Sequence, residues 1–320
     1  MVPNLFIGMP VYNGEKFVAE ALDSIMAQTY TDWKLVISDN ASTDDTQRIC
    51  QHYASKDARI HYVRQETNIG AMPNFRFLLE QADTPYFMWA AADDMWKESF
   101  VEACVTGLES DDEVGWAFTN MVNIDSFGRT IRNYPSFARF LYTDRAASVA
   151  RFALDPEYLG KANLIYGVYK LETLKEFLLA FLKIIAESPS FLSADLALNL
   201  GVMCRTSLYI DERVLFCKRY VRPTDRRRHV DWIEPLTPHV RGLLSMKDFA
   251  LYKEAASRAS EGTPYVELVM AINQYRELLV SDGETIRMGD ESSLATIVKN
   301  RVNGQVLRGW QKVKRLSSST

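Results

Sequence analysis

The stretch that decides the fold is residues 5–46, LFIGMPVYNGEKFVAEALDSIMAQTYTDWKLVISDNASTDDT. Two short apolar runs within it, 5–7 and 35–37, have the length and composition of buried β-strands. Between them, apolar residues recur at helical spacing from Phe17 to Ile25. The stretch therefore predicts a strand, a helix and a second strand that lies parallel to the first.

The alternation of strands and helices continues through the first third of the chain. With short connections, it is typical of an α/β domain with a mostly parallel sheet. Ligands of such sheets bind at the carboxyl ends of the strands. Further strands are predicted at 60–63 and 86–91, and helices are predicted to begin at an Asn13 cap, at a Ser42 cap, at Asn74 and near Lys97.

From residue 114 the pattern changes. Segments 115–123 and 129–134 flank a turn sequence and predict a β-hairpin. Helices are expected near 144–153, 172–186 and 191–200, and residues 240–320 have a largely helical, amphipathic pattern.

Composition narrows the class of protein. The 320 residues are 47% hydrophobic and 24% charged, which excludes collagen, a disordered tail protein and a disulfide scaffold. The four cysteines are far apart and favour a reducing, cytoplasmic location. The most apolar run, 177–186, is too short to span a membrane, and the N-terminus lacks the basic start of a signal peptide.

The chain has a net charge of −4, which is distributed unevenly along the sequence. Residues 292–320 contain six basic side chains and no acidic one. An acidic body argues against general nucleic-acid binding. Segment 297–316 predicts a basic amphipathic helix that contacts either a membrane surface or protein, such as a second copy in a homo-oligomer. Its apolar positions are Val298, Val302, Val306, Trp310 and Val313.

Asp93 and Asp94 follow the predicted strand 86–91 directly. Carboxylates at a sheet edge suit Mg²⁺ or Mn²⁺ that bridges the phosphates of a nucleotide. The pair could equally cap the next helix, and the residues alone leave both interpretations open.

Asp39 follows the second strand in the same way. Its carboxylate could accept a hydrogen bond from a nucleobase such as uracil, on which Tyr12 could stack. An Asx turn that leads into the Ser42 cap is the simpler structural explanation.

Four motifs together resemble the donor domain of inverting glycosyltransferases of family 2, which have the GT-A fold. They are PVYNGEKFVAEALDSIMAQTY, LVISDNASTDDT, NIGAMPNF and YFMWAAADDMW. The resemblance covers residues 1–125 closely and 160–225 more weakly. It implies a nucleotide-sugar donor of the UDP class and a divalent metal, Mg²⁺ or Mn²⁺. It also implies a glycan or lipid-linked saccharide acceptor in cell-surface polysaccharide or glycolipid synthesis.

The resemblance also implies a division of the chain. Residues 1–120 would bind the donor, 121–235 would complete the site and bind the acceptor, and 236–320 would form a helical appendage. Asp93 would bind the metal, although the first position of the family's D-x-D motif is Ala91 here. The nucleotide-facing residues it implies are Pro10, Tyr12, Glu15, Asp39, Asn68, Gly70 and Asp94.

An inverting transfer needs a base that deprotonates the acceptor hydroxyl. The segment SFLSADLALNLGV resembles the family's base helix and makes Asp195 the candidate, whereas its charge could also simply complement the helix dipole. The basic run from 218 to 228 could cover a diphosphate or be a solvated loop. Its candidate contacts are Arg222, Arg226, Arg227 and Arg228, followed by His229.

Two rival functions remain. A nucleotidyltransferase would need a Gly-rich basic loop after the first strand, where this chain has PVYNG at residues 10–14. A non-catalytic protein that binds sugar nucleotides or glycans is compatible with Ala91 and Ala194, which stand where acidic residues are common in the family.

Overall fold

The computed structural model describes residues 4–143, 145–155, 159–175 and 194–220, with isolated positions between 254 and 270. Strands are β1 Leu5–Val11, β2 Trp33–Asp39, β3 Ile60–Arg64, β4 Tyr86–Trp89, β5 Met95–Trp96, β6 Val114–Ile124, β7 Thr130–Asn133, β8 Val168–Lys170 and β9 Ser207–Arg219. Helices are α1 Val18–Met26, α2 Thr46–Lys56, α3 Ala71–Glu80, α4 Phe100–Glu109, α5 Arg145–Leu154 and α6 Ala194–Arg205.

The nine strands that the structure describes belong to one sheet of order β3-β2-β1-β4-β8-β6-β9-β5, with β7 paired to β6. Strands β1 to β4 pair in parallel, and β8 pairs antiparallel with both β4 and β6. The predicted α/β fold with a mostly parallel sheet is therefore confirmed, as is the hairpin that β6 and β7 form.

The chain divides into two compact units. The first contains the sheet and comprises Met1–Leu141, Asn163–Leu182 and Thr206–Val221. The second comprises Tyr142–Ala162, Lys183–Arg205 and Arg222–Thr320, and within it α5 packs on α6. The functional division at residues 120 and 235 stays a prediction.

Large aromatic side chains fill the centre of the first unit. Trp116 of β6 stacks on Tyr169 of β8 with ring centroids 5.6 Å apart, and Trp89 of β4 meets the same tyrosine edge-on at 6.3 Å. All three are buried, and the indole N–H of Trp116 donates to the carbonyl of Leu164. These contacts join the parallel strands β1 to β4 to the mixed part of the sheet, because β8 lies between β4 and β6.

Two predicted helix starts were wrong. Helix α1 begins at Val18 and α2 at Thr46, several residues after Asn13 and Ser42, and neither of these caps a helix. Asn13 and Ser42 bond to each other instead, across two neighbouring loops. Helix α3 begins at Ala71, before the predicted Asn74. Pro73 lies in its first turn, where a helix tolerates proline.

Three expectations fall wholly or largely outside the described residues: the helix at 172–186, the helical region 240–320 and the basic helix at 297–316. In the described part of the chain, no helix combines the length and the apolar character needed to cross a bilayer.

Candidate functional site

The carboxylate of Asp39 is fully buried at the end of β2. Its Oδ1 accepts the backbone N–H of Ser42 at 2.8 Å, and its Oδ2 accepts the Tyr62 hydroxyl at 2.5 Å and Nη1 of Arg64 at 2.8 Å. Burial and the hydrogen bond to this carboxylate raise the pKa of Tyr62, so the hydroxyl remains a donor. Asp39 is therefore held in one orientation by two side chains of β3 and by the loop that follows β2.

The loop after β1 is tied to the loop after β2. The backbone N–H of Asn13 donates to Ser42 Oγ at 2.9 Å, and the Asn13 side chain accepts from the N–H of Thr43 at 2.8 Å. Glu15 accepts from the N–H of Asp45 at 2.9 Å. Asn13 has φ +52°, a left-handed conformation that asparagine tolerates well. The two loops thus form one hydrogen-bonded unit, beside which the Tyr12 ring is half exposed.

Asn40 connects this unit to the loop after β3. Its amide nitrogen donates to Asn68 Oδ1 at 2.9 Å and to the Gly70 carbonyl at 3.1 Å, and its oxygen accepts the N–H of Ile69 at 2.8 Å. Gly70 has φ +89°, a conformation that favours glycine. The sequence interpretation overlooked Asn40, although an amide directly after a strand-end aspartate is a signal for such a contact.

The two adjacent aspartates after β4 have different environments. Asp94 is fully buried, where it accepts Lys218 Nζ at 2.9 Å and the N–H of Arg219 at 2.8 Å. Burial raises the pKa of Asp94 to about 6 despite the lysine. Asp93 is partly exposed, and its carboxylate forms no hydrogen bond with the described part of the chain.

Arg219 fixes the backbone around these aspartates. Its side chain is fully buried, and it donates from Nε to the Asp93 carbonyl at 2.9 Å, from Nη1 to the Asp125 carbonyl at 3.1 Å and from Nη2 to Glu20 at 2.6 Å. Lys218 and Arg219 begin the basic run that was considered as a phosphate cover or a solvated loop. They are instead the last two residues of β9, and they bind Asp94 and Glu20.

Residues 6–160 match the model described as glycosyl transferase family 2. This match covers just under half of the chain. Putative glycosyltransferase EpsE of Bacillus subtilis is 33% identical over 136 residues, which are 42% of this chain and 49% of EpsE. Putative teichuronic acid biosynthesis glycosyltransferase TuaG of B. subtilis is 34% identical over 100 residues, which are 31% of this chain and 40% of TuaG.

Chondroitin synthase of Escherichia coli is 31% identical over 142 residues, which are 43% of this chain and 20% of the synthase. The alignments thus span half or less of the length of these relatives. Residues 1–349 of S. aureus TarS, crystallised with UDP-GlcNAc, superpose with a TM-score of 0.63 at 14% identity, over 97% of this chain and 80% of that one. At this identity the likeness concerns the fold, and it confirms the expected GT-A architecture.

In the first unit, the carboxyl ends of β1 to β4 bring most of the predicted residues to one edge. Strand β1 lies between β2 and β4, and a Cβ atom added to Gly14 would lie 3.8 Å from the Cβ of Ala92. The loops after β1 and β4 are therefore in close contact. The predicted residues at this edge are Pro10, Tyr12, Glu15, Asp39, Asn68, Gly70, Asp93 and Asp94.

The other predicted residues belong to the second unit. Asp195 belongs to the second unit, in the first turn of α6, where its Oδ1 accepts the N–H of Leu196 at 2.8 Å. The side chain is partly exposed. The predicted contacts that fall outside the described residues are Arg222, Arg226, Arg227, Arg228 and His229.

The residues at the edge suit a divalent cation that is shared with a ligand. Across the described positions, no three Cys, His, Asp or Glu side chains are grouped to hold a metal on their own. The Asp93 carboxylate is unbonded there, whereas Asp94 is paired with Lys218. One carboxylate combined with phosphate oxygens and water is the usual environment of Mg²⁺ in nucleotide sites.

Proposed function

We propose that the protein transfers a sugar from a UDP-sugar to a hydroxyl group of a glycan or lipid-linked acceptor, with inversion at the anomeric carbon. The observation that carries this proposal is the match of residues 6–160 to the family 2 model, within which Asp39 and Asp93 lie at one sheet edge. The Asp93 carboxylate has no hydrogen bond to the described part of the chain. The names of TuaG and chondroitin synthase support polysaccharide assembly as the process. The TarS complexes with UDP and UDP-GlcNAc support the donor class.

The nucleoside would be bound by groups that the loops hold in place. The half-exposed Tyr12 ring offers a stacking surface for the base. Asp39 has about four lone pairs for hydrogen bonds, and three donors of the described residues occupy three of them, one on Oδ1 and two on Oδ2. A ring N–H of uracil would take the remaining position on Oδ1, and the loops around this buried carboxylate would have to open to admit it.

The diphosphate would lie beside Asp93. A divalent cation held there would neutralise the charge that develops on the departing diphosphate. Asp94 would act indirectly, because its bond to Lys218 and the Arg219 contacts fix the segment that carries Asp93. Asp195 would be the general base that removes the acceptor proton.

The cellular setting is part of the same proposal. The enzyme would work at the cytoplasmic face of the membrane in the synthesis of a surface polysaccharide or glycolipid. Segment 297–316 would contact either anionic lipid or a second copy of the chain, because its predicted polar face is basic.

A donor and acceptor screen tests this function. The full chain would be incubated with UDP-sugars, Mn²⁺ and short saccharides, and the anomeric configuration of the product would be read by NMR. Asp195→Asn should lower turnover about 100-fold or more and leave UDP affinity unchanged. Asp112→Asn, an exposed carboxylate outside the site, is the matched control.

Three outcomes would contradict the proposal. Retention of configuration would exclude single displacement, and full activity of Asp195→Asn would exclude that base. UDP-sugar binding without any transfer would favour the rival non-catalytic protein.

A further inference from the structure

The turn between β6 and β7 has a fixed conformation. The Asp125 carboxylate accepts the backbone N–H of Phe127 at 2.8 Å and that of Arg129 at 3.0 Å. The Asp125 N–H donates to the Arg129 carbonyl at 2.9 Å, and Gly128 supplies the positive φ of +76° that the turn requires. The position of residue 127 is therefore set by hydrogen bonds on both sides of the turn.

This turn presents an aromatic ring to solvent. Phe127 is 80% exposed, the largest value among the large hydrophobic side chains that the structure describes. The guanidinium of Arg129 lies 5.1 Å from the ring centroid, and it also bonds to Asp125. One face of the ring thus has a charged neighbour, and most of the ring surface is open.

Arg219 joins the turn to the segment that carries Asp93. Neighbouring nitrogens of its buried guanidinium donate to the carbonyls of Asp93 and Asp125. Phe127 is therefore two residues from Asp125, whose backbone carbonyl binds the same guanidinium as the backbone carbonyl of Asp93, the proposed metal ligand. Within the first unit, the turn that carries Phe127 and the segment that carries Asp93 are thus bound by the same side chain.

The size and border of the exposed surface favour a saccharide as its occupant. A pyranose ring has an apolar C–H face that packs on a single aromatic ring, and polar edges that suit an arginine and a carboxylate. Docking on a membrane or on a protein would need a larger apolar patch. On this hairpin only Ile131, at 46%, is a further exposed large hydrophobic residue in the described part.

We propose that Phe127 is a binding residue for the acceptor saccharide, on which one sugar ring stacks beside the donor site. This inference rests on the proposed glycosyl transfer, because it assigns the acceptor of that same reaction. It adds a residue to which the sequence interpretation gave no role.

The test compares Phe127→Ala with Phe127→Tyr, which keeps the ring, and with Ile131→Ala, which removes apolar surface from the same hairpin. Binding of each full-length variant to an array of bacterial polysaccharide fragments would be measured in the presence of UDP and Mn²⁺. UDP affinity would be measured separately by calorimetry. Phe127→Ala should bind the fragments about tenfold or more weakly, while the other two variants retain wild-type binding.

UDP affinity should be the same in all variants, so a failure of the donor site is distinguished from a failure of this inference. Equal fragment binding by Phe127→Ala and wild type would overturn the assignment, as would wild-type protein that binds UDP but no fragment. Vesicles with 30% phosphatidylglycerol form a second arm. Loss of vesicle binding in Phe127→Ala, with fragment binding unchanged, would identify the ring as a membrane contact instead.

Discussion

Replacing Lys218 by methionine is expected to destabilise the first unit, because it removes the partner of a buried carboxylate. Asp94 has no exposed surface, and its other described donor is the backbone N–H of Arg219. Breaking a buried ion pair costs about 3–5 kcal/mol, and the 26% exposure of Lys218 places this pair near the lower end, at about 3 kcal/mol. With a urea m-value of about 3 kcal/mol/M, the unfolding midpoint should fall by about 1 M.

The pH dependence should identify the carboxylate. Burial raises the pKa of Asp94 to about 6, although the positive charge of Lys218 lowers it. Removal of that charge in Lys218→Met should therefore raise the pKa of Asp94 further. A raised pKa in the folded state adds stability at low pH that is lost as the pH rises through that pKa. The deficit of Lys218→Met relative to wild type should therefore shrink as the pH falls from 8 to 5.

Urea unfolding followed by tryptophan fluorescence, in EDTA to exclude metal effects, measures both quantities. The double variant Asp94→Asn, Lys218→Met should be more stable than Lys218→Met alone, because no unpaired charge remains buried. A Lys218→Met variant within about 0.5 kcal/mol of wild type at pH 8 would refute this reasoning. Additive costs in the double variant would refute it as well.

Three further variants test individual contacts. Tyr62→Phe removes one donor to Asp39 and should cost about 1 kcal/mol in urea unfolding, and an unchanged midpoint would argue against that bond. Asn40→Ala releases the loop after β3 and should weaken UDP binding about tenfold in calorimetry, where unchanged affinity would separate this loop from the donor site. Gly107→Ala puts a Cβ 2.1 Å from the Tyr209 ring and should cost about 1–3 kcal/mol without altering UDP affinity, whereas wild-type stability would show that the ring moves freely.

Strands β1, β2 and β4 were predictable because buried parallel strands are continuous apolar runs, although β4 ends at Trp89, before the predicted residue 91. Strand β3 was also located, although Ile60 is its one buried residue. Segments 5–7 and 35–37 lie inside β1 and β2, and 60–63 lies inside β3. Helix starts were not predictable in the same way. Asn13 and Ser42 have the side chains of helix caps, but each bonds to the other's loop, and local patterns do not contain such tertiary contacts.

The same limit applies to the candidate site. Strand ends located Asp39 and the Asp93–Asp94 pair at one edge, since the edge follows from the order of elements. The difference between Asp93 and Asp94 depends on Lys218, which binds Asp94 and is 124 positions away from it in the sequence. The basic run that contains Lys218 was visible, but its division between the end of β9 and the following segment was not.

Calorimetric titration of nucleotides tests the donor site most directly. UDP, dTDP, GDP, CDP and ADP would each be titrated with Mn²⁺ and with EDTA into wild type, Asp39→Ala and Asp93→Ala. We expect UDP to bind best, with an affinity that depends on Mn²⁺ in wild type, no longer depends on it in Asp93→Ala, and is weakened in Asp39→Ala. If no nucleotide binds under any condition, or if Asp93→Ala keeps the full effect of Mn²⁺, the proposed donor site is contradicted.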